Sequence, residues 1–200
     1  MSDHYFSAQP ASADERRRVT VRLAGLDLEL ETAAGTFSAG HLDLGTQVLL
    51  RSVPDPMGHV LDLGCGWGPI AIEAALRGAS RVTAVDVNER ALDLTRRNAD
   101  RVRSAHRLAP IDAVTADRVD PDTRFDTIWS NPPIRIGKDA LHALLATWLP
   151  RLAPGGVAYL VVQRNLGADS LATWIAAQGW GEVDRAASAK GFRVVRVTAR

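Results

Sequence analysis

The sequence contains a single cysteine, Cys65, among its 200 residues. One cysteine excludes a disulfide within the chain and a zinc site built from several cysteines. The five histidines are scattered along the chain, without the HExxH or HxxxH spacing of zinc enzymes. We therefore expect neither a disulfide framework nor a metal centre.

The sequence also lacks a charge excess and long apolar runs. Its formal net charge is +1, so binding to nucleic acid would require basic side chains concentrated on one face. No apolar stretch reaches about 18 residues and the N-terminus has no apolar signal segment, so we expect a soluble, cytoplasmic protein. Hydrophobic residues make up 46% of the chain, which is enough for one packed domain.

The first part of the chain divides into distinct segments. Residues 1–17 are polar and rich in Ala, Ser and Asp, so we expect a flexible N-terminus. Apolar and polar residues then alternate on both sides of an Ala-Gly pair, which predicts a β-hairpin. A helix should follow and end before Pro54. We expect residues 18–56 to cap a site in the main domain, residues 57–200.

From His59 onward, short apolar runs alternate with helical segments. This order predicts βαβ units and an α/β fold, with a mostly parallel sheet and helices on both faces. The last two runs flank Lys190-Gly191 without a helix between them, so they should form an antiparallel C-terminal hairpin. A helix that begins near Lys138 is expected to stop at the Pro-Gly-Gly segment, residues 154–156.

Three glycines, Gly64, Gly66 and Gly68, follow the first strand of this pattern. Glycine lets a ligand approach the backbone closely, and the helix beyond the loop offers free N–H groups. The spacing differs from the G-x-G-x-x-G fingerprint, which argues against a nicotinamide cofactor. The alternative is a tight turn without a ligand. Asp62 weakens that alternative, because a carboxylate in an apolar strand needs a partner such as a ligand ammonium or hydroxyl group.

Acidic residues also follow the next two strands. Asp86 lies about 20 residues beyond the loop, where its two oxygens can accept hydrogen bonds from vicinal ribose hydroxyls. The alternative is that Asp86 or Asn88 only caps the next helix. Asp117 ends the third run and can accept a hydrogen bond from an adenine amine, although a solvated loop aspartate fits the pattern nearly as well.

The fourth apolar run ends in Asn131, Pro132, Pro133 and Ile134. The two prolines fix φ and remove two backbone donors, so the turn should be stiff and should display acceptors. A planar exocyclic amine has two N–H donors, and Asn131 Oδ1 and the Pro132 carbonyl can accept one each. Such contacts would aim the amine nitrogen at a methyl donor, so that catalysis comes from positioning and electrostatics. An ordinary Asn-Pro turn is the alternative.

With these motifs together, the chain resembles the class I S-adenosylmethionine-dependent methyltransferases. More narrowly, it resembles the methyltransferase small domain family, which includes RsmC-like ribosomal RNA guanine exocyclic-amine methyltransferases. The resemblance runs from about Leu28 to the C-terminus and implies a Rossmann-like, seven-stranded sheet with a small N-terminal hairpin extension. It rests on the segments GTFSAGHLDLGTQVLL, DLGCGWGPIAI, AVDVNERA, FDTIWSNPPIRIGK and LPRLAPGGVAYLVVQ.

The resemblance also implies a role for each motif. S-adenosyl-L-methionine would be the cofactor, and the acceptor amine would lie between it and the Asn-Pro-Pro turn. The upstream segment would close over the site. The implied cofactor-binding residues are Asp62, Gly64, Cys65, Gly66, Asp86, Val87, Asn88, Asp117 and Asn131. The implied catalytic residues are Asn131, Pro132, Pro133 and Ile134, and the closing residues are Phe37 and Ser38.

Two features bear on the acceptor. Ile134 stands where many relatives have Phe or Tyr, a ring that can stack on a base. Arg135 and Lys138 can contact phosphates as substrate-binding residues, with a solvated surface as the equal alternative. The sequence therefore predicts methylation of a nucleobase amine, most directly guanine in ribosomal RNA, by a monomer or homodimer. The alternatives are a protein glutamine or small-molecule amine methyltransferase, a nicotinamide oxidoreductase, or a catalytically idle RNA-binding domain.

Overall fold

The computed structural model describes residues 15–38 and 40–200. The N-terminal hairpin consists of β1, Arg16–Leu23, and β2, Leu26–Ala33, which pair antiparallel along their whole length. The hairpin prediction is therefore confirmed. Most of the segment expected to be flexible, residues 1–14, lies outside the described residues, and β1 begins ahead of the expected boundary at residue 18.

Asn98 joins the hairpin to the main domain through its side-chain amide. Its Oδ1 accepts from the Glu31 backbone N–H at 2.7 Å, and its Nδ2 donates to the Glu31 carbonyl at 2.9 Å. The same Nδ2 donates to the Trp67 carbonyl at 2.9 Å. Because the Asn98 side chain is fully buried, its amide needs these partners within the protein, and the three contacts satisfy it.

Helix α1, Leu44–Ser52, follows the hairpin and ends before Pro54, as expected. Asp43 is its N-cap, and the Asp43 carboxylate accepts from the backbone N–H of Thr46 at 3.1 Å. The other end of the helix is held by Arg77, which donates to the carbonyls of Leu50 and Val53.

The remaining elements form the alternation that the sequence predicts. The helices are α2, Pro69–Leu76; α3, Glu89–Arg103; α4, Lys138–Trp148; and α5, Ala168–Ala177. The strands are β3, His59–Leu63; β4, Arg81–Val85; β5, Ile111–Val114; β6, Phe125–Ser130; β7, Leu152–Gln163; β8, Gly181–Ala189; and β9, Phe192–Ala199.

The seven strands form one sheet in the order β5-β4-β3-β6-β7-β9-β8. The first five in this order pair in parallel, and β9 pairs antiparallel with both β7 and β8. The chain runs outward in one direction from β3 to β5 and returns on the other side at β6. This reversal opens a crevice at the carboxyl ends of β3 and β6, where open α/β sheets bind their ligands. The predicted fold class is confirmed.

Residues on opposite sides of the sheet separate into two apolar cores. Neighbouring residues of β3 and β6 alternate between them, with Val60 and Trp129 in one and Leu61 and Ile128 in the other. The first core includes side chains of the hairpin and of α1 to α3, and the second those of α4 and α5. Trp129 and Trp148 are buried, whereas Trp174 is only partly buried and stacks on the His142 ring at 3.7 Å.

The expected helix stop at residues 154–156 is wrong. Helix α4 ends at Trp148, a short 3₁₀ turn follows, and β7 already begins at Leu152. The Pro-Gly-Gly segment lies inside β7, where the register against β6 shifts between Phe125 and Thr127. The segment is an irregularity within β7, because pairing with β6 on both sides of it keeps the β7 backbone extended.

Two features are absent from the part of the chain that the structure describes. No helix there is long and apolar enough to cross a membrane. In the same residues, no group of three or more His, Cys, Asp or Glu side chains is arranged to hold a metal ion.

Candidate active site

A cavity of about 240 Å³ lies at the carboxyl ends of β3, β4, β6 and β7. The glycine loop and Asp86 line one half of it, and Asn131 with the two prolines lines the other. The predicted motifs, which are spread over some 70 residues between Asp62 and Asn131, are thus brought to a single crevice. This follows from the parallel order of the strands, which places their carboxyl ends at one edge.

The glycine loop is held in a conformation that favours glycine. Gly64, Gly66 and Gly68 have φ values of 82°, 56° and 93°. A Cβ on Gly68 would lie 3.0 Å from the side chain of Thr95, so helix α3 packs directly on the loop. The Thr95 hydroxyl also donates to the Gly66 carbonyl at 3.0 Å. The loop is therefore a rigid floor for the cavity.

Asp86 has a structural contact on each oxygen and also lines the cavity. Its Oδ2 accepts from the Gly66 N–H and its Oδ1 from the Asn88 N–H, both at 2.9 Å. Burial raises the pKa of the Asp86 carboxyl, and the backbone donors oppose that rise. Each carboxylate oxygen has a second lone pair, so Asp86 keeps the capacity to accept from two hydroxyl groups of a ligand.

Asn88 caps helix α3, as the alternative interpretation of this segment predicted. Its Oδ1 accepts from the N–H groups of Arg90 and Ala91, and its Nδ2 donates to the Gly35 carbonyl at 2.9 Å. Val87 beside it is 55% exposed at the cavity wall. An exposed apolar side chain next to Asp86 can cover the flat face of a purine ring.

Asp62 is fully buried in β3, and neither carboxylate oxygen has a hydrogen-bond partner among the described residues. Burial raises the pKa of the Asp62 carboxyl well above its usual range. The nearby Ala71 backbone amide, which does not reach it with the geometry of a normal hydrogen bond, partly offsets this rise, and the charge of Asp86 adds to it. Asp62 does not itself line the cavity, which begins at the next residue, Leu63. A buried, unpartnered carboxyl one residue from a cavity fits a role toward a cationic ligand group.

Cys65 is buried in the loop and does not line the cavity. Burial raises the pKa of the Cys65 thiol well above its usual range, so the thiol stays protonated. Its nearest side-chain partner is the Thr95 hydroxyl, at 3.6 Å from Sγ. These contacts favour packing of a small side chain over thiol chemistry.

The Asn131 side chain is held by helix α1. Its Nδ2 donates to Asp43 Oδ2 at 2.8 Å and to Thr46 Oγ1 at 3.1 Å. Both amide hydrogens are thus used, and no described residue donates to Asn131 Oδ1. Asn131 lines the cavity, so an oxygen acceptor is available there at the end of β6.

The Asn-Pro-Pro segment forms a tight turn. Pro133 has φ −74° and ψ 73°, the dihedrals of an inverse γ-turn, and the Ile134 N–H donates to the Pro132 carbonyl at 2.8 Å. The sequence predicts that few backbone N–H groups compete for the Pro132 carbonyl. In the structure the Ile134 N–H is one such competing donor. The Pro132 carbonyl retains its second lone pair for a ligand.

The other predicted substrate residues divide between cavity and surface. Phe37 and Arg135 line the cavity, and Phe37 is positioned by the Trp67 indole N–H, which donates to its carbonyl at 3.1 Å. Ser38 and Lys138 do not line it. The Ser38 hydroxyl donates instead to the His41 carbonyl at 2.7 Å, and Lys138 begins helix α4.

Asp117 lies at the edge of the site, in the short 3₁₀ turn Ala116–Arg118. Its neighbour Ala116 lines the cavity, whereas the Asp117 side chain is exposed. A hydrogen bond from the Thr115 side chain lowers the pKa of the Asp117 carboxyl. The structure thus brings the neighbouring Ala116 to the cavity wall and leaves the Asp117 carboxylate in solvent.

Asp43, Gln163 and Phe192 are among the cavity residues that the sequence analysis did not predict. Asp43 carries a helix-cap signal in the sequence, but its contact with Asn131 spans 88 residues. Gln163 and Phe192 face each other across β7 and β9, and both line the cavity. Gln163 is at the carboxyl end of the parallel strand β7, a signal that the strand pattern does offer. No local pattern marks Phe192, because it reaches the site through the antiparallel pairing of β9 with β7.

A comparison with protein families matches residues 27–196 to the family described as methyltransferase small domain. Among similar proteins, YbxB of Bacillus subtilis strain 168 is 31% identical over 98% of both chains. The ribosomal RNA small subunit methyltransferase C of Aeromonas hydrophila is 38% identical over 62% of this chain and 36% of its own length. The chain therefore spans about a third of that relative.

Among solved structures, the fold is similar to that of the T. thermophilus 16S rRNA N2 G1207 methyltransferase (RsmC) in complex with AdoMet and guanosine. The TM-score is 0.78 at 25% sequence identity, over 96% of this chain and 52% of that one. The chain thus spans about half the length of this second RsmC protein.

Proposed function

The chain belongs to the methyltransferase small domain family, and we propose that it transfers a methyl group from S-adenosylmethionine to an exocyclic amine of a nucleobase. We propose guanine in ribosomal RNA as the acceptor. The observation that carries the proposal is the Asn131 amide, whose two hydrogens are used by Asp43 and Thr46 and whose oxygen remains for a donor. An exocyclic amine is such a donor.

The residues of the β3–β4 half of the cavity fit S-adenosylmethionine. Asp86 would accept from the ribose hydroxyls, Val87 would cover the adenine, and the glycine loop would give the methionine part its close approach. The buried, unpartnered Asp62 supports a place for the cofactor ammonium nearby. When bound, the cofactor supplies an electrophilic methyl group on a sulfonium cation.

The residues of the β6–β7 half would orient the acceptor. Asn131 Oδ1 and the second lone pair of the Pro132 carbonyl would each accept one N–H of a flat amine. These contacts would hold the amine nitrogen in one place. They would also favour a pyramidal nitrogen, whose lone pair is less delocalised into the ring. Because neither group is a strong base, their contribution is positioning and electrostatic stabilisation.

The RsmC relatives named for ribosomal RNA support RNA as the substrate class. Arg135 follows the turn directly, is exposed and lines the cavity, so it can contact a phosphate next to the target nucleotide. Phe37 is 38% exposed on the cavity wall and can stack on a base.

A protein glutamine or small amine is the second candidate acceptor. The observation that favours it is Ile134, a partly buried aliphatic side chain on the cavity wall in place of a ring. An aliphatic wall accommodates a flexible amide as readily as a flat base. The same two oxygen acceptors would then hold the amide NH₂.

The test uses ribosomal RNA from a strain that lacks the gene, incubated with the purified protein and tritiated S-adenosylmethionine. We expect label in guanosine methylated on its exocyclic amine after digestion to nucleosides. Asn131→Ala serves as the inactive control. Label in cellular protein and none in RNA would instead establish a protein acceptor, and label only in the small-molecule extract would establish a small amine. No label in any of the three fractions would refute both candidates.

A further inference from the structure

We propose that Asp43 and Thr46 form a clamp that sets the orientation of the Asn131 amide, and that they are positioning residues for methyl transfer. The clamp is defined by three side chains: Asp43 and Thr46 at the start of α1, and Asn131 at the end of β6. The expected effect of the clamp on catalysis rests on the proposed function, whereas its effect on the orientation of the Asn131 amide does not.

The chemistry of Asp43 decides which end of the amide faces it. An ionised carboxylate is only an acceptor, so the atom of Asn131 at 2.8 Å from Asp43 Oδ2 is the nitrogen. The second amide hydrogen goes to Thr46 Oγ1 at 3.1 Å. The amide oxygen therefore has no partner within the clamp, and no described residue donates a hydrogen bond to it.

Without the clamp, the amide has little to fix it. The terminal torsion of an asparagine side chain is soft and roughly two-fold, so rotation exchanges the NH₂ and the oxygen at similar energies. A rotated amide would present N–H donors to the cavity. It would repel an amine acceptor and favour a carbonyl, which is the opposite of what methyl transfer to an amine needs.

Packing around Gly45 keeps Asp43 in place. A Cβ on Gly45 would lie 2.9 Å from Asp43 Oδ2 and 3.0 Å from the Phe192 ring, so carboxylate and ring both press against this glycine. Asp43 Oδ2 also accepts from the Thr46 N–H at 3.1 Å as the helix cap. One carboxylate oxygen thus joins the start of α1 to the end of β6.

The arrangement makes helix α1 a part of the acceptor site. The helix lies between the hairpin and the sheet in the chain, and its first turn supplies both partners of the Asn131 amide. The orientation of the acceptor oxygen therefore depends on α1 being docked. The clamp leaves Asn131 Oδ1 as an acceptor, and this oxygen together with the Pro132 carbonyl selects for a substrate that donates two N–H groups.

The test separates the helix cap from the clamp at one position. Asp43→Ser keeps a good N-cap, but the shorter side chain cannot also reach Asn131. Asp43→Asn keeps an oxygen that can accept from both Thr46 and Asn131. We expect Asp43→Ser to lose roughly 10- to 100-fold in kcat, because the amide is misaligned. Asp43→Asn should retain kcat within about threefold.

Thr46 gives a second pair of variants. Thr46→Val has the same shape without the acceptor oxygen, and Thr46→Ser keeps that oxygen. We expect Thr46→Val to lower kcat roughly 3- to 10-fold and Thr46→Ser to restore most of it. Arg51→Gln, at the exposed far end of the same helix, controls for a general weakening of α1. In all these variants the dissociation constant for S-adenosylhomocysteine should change less than about threefold.

A readout that needs no substrate is the Asn131 side-chain NH₂ in a ¹⁵N–¹H spectrum, assigned by its absence from Asn131→Ser. In the wild type and Asp43→Asn we expect slow exchange of these hydrogens with water, and in Asp43→Ser at least about tenfold faster exchange. This readout remains if no RNA is methylated, a result that would refute the proposed function and leave the clamp testable.

Three results would overturn the clamp. The first is full turnover by Asp43→Ser, and the second is unchanged exchange of the Asn131 NH₂ in that variant. The third is an Asp43→Asn variant as inactive as Asp43→Ser, because Asp43 would then act through its charge on the substrate and not through Asn131.

Discussion

Asp62 lies in β3 and Asp86 directly follows the adjacent strand β4, and burial raises the pKa of both carboxyls. They differ in their partners, because Asp86 accepts two backbone N–H groups and Asp62 has no partner among the described residues. Asp86 therefore shapes the loop before any ligand binds. Asp62 has no such structural contact, and its burial disfavours the charged form.

The unpartnered Asp62 makes stability fall as pH rises. Between its ordinary pKa and its raised native pKa, the folded state binds more protons than the unfolded state, so the free energy of unfolding decreases with pH. Asp62→Asn has no proton to lose. We expect its stability relative to wild type to increase by about 1.4 kcal/mol per pH unit across this window, upward from about pH 4.

Urea unfolding at pH 4, 6 and 8 without cofactor measures the effect. Asp117→Asn is the matched control, since the Asp117 carboxyl is exposed and its pKa is lowered, so it should show no such increase. Parallel pH curves for Asp62→Asn and wild type would contradict the prediction.

Asp86 and Asn131 should separate binding from turnover. Asp86→Ala removes the acceptor of the Gly66 and Asn88 N–H groups, so we expect cofactor affinity to fall by at least about tenfold. Asn131→Ala removes the acceptor for the amine, so turnover should drop by about 100-fold or more with cofactor affinity nearly intact. Calorimetry with S-adenosylhomocysteine and single-turnover kinetics give the two quantities. Full activity of Asn131→Ala would disprove the mechanism.

At the scale of secondary structure elements, the buried Asn98 side chain of α3 links the hairpin to the main domain. Asn98 meets both backbone groups of Glu31 and the Trp67 carbonyl, so it ties β2 and the glycine loop to the same helix. Glu73 supplies a second link, since its carboxylate accepts from the Ala24 N–H at 2.5 Å. The hairpin is therefore attached to the floor of the cavity.

Asn98→Ala should destabilise both the hairpin and the loop. It removes the side-chain partner of three backbone groups, of which the Trp67 carbonyl is in a buried contact, and we expect a loss of about 2–3 kcal/mol in the free energy of unfolding. The melting temperature should fall by about 5–10 °C. Arg97→Ala, an exposed ion-pair residue next to it, should change stability by less than about 1 kcal/mol. Equal effects of the two changes would contradict the role assigned to Asn98.

At the scale of the whole molecule, ligand binding should raise the free energy of unfolding. A ligand that binds only the folded state at 100 times its dissociation constant adds about 2.7 kcal/mol, which raises the melting temperature by about 5–10 °C. We expect this shift with S-adenosylhomocysteine. NADH at the same concentration should give a shift within about 1 °C, since the loop lacks the dinucleotide spacing. A larger shift with NADH would reverse the cofactor assignment.

The order of elements could be predicted from the sequence because it depends on short-range periodicity. Alternation around Ala24-Gly25 predicts the hairpin, and apolar runs after His59 predict the parallel strands. The expected stop at residues 154–156 failed for the same reason, because proline and glycine mark an interruption but do not say whether a paired strand bridges it.

The site could be predicted only in part. Gly64, Asp86 and Asn131 follow strands in the sequence, and carboxyl ends of parallel strands meet at one edge whatever the strand order. The contact of Asp43 with Asn131 requires α1 to pack beside the end of β6, and the place of Phe192 in the cavity requires β9 to pair with β7. No local sequence pattern specifies either arrangement.

The sequence by itself determined the elements, the glycine loop and the acidic and amide residues at strand ends, because local periodicity and turn chemistry act over a few residues. Only the tertiary structure decided that Asp62 is left without a partner, that Asp117 faces solvent and that Asn131 presents its oxygen. Each of these depends on which distant group packs against the side chain. Packing partners are chosen by the order of the strands in the sheet.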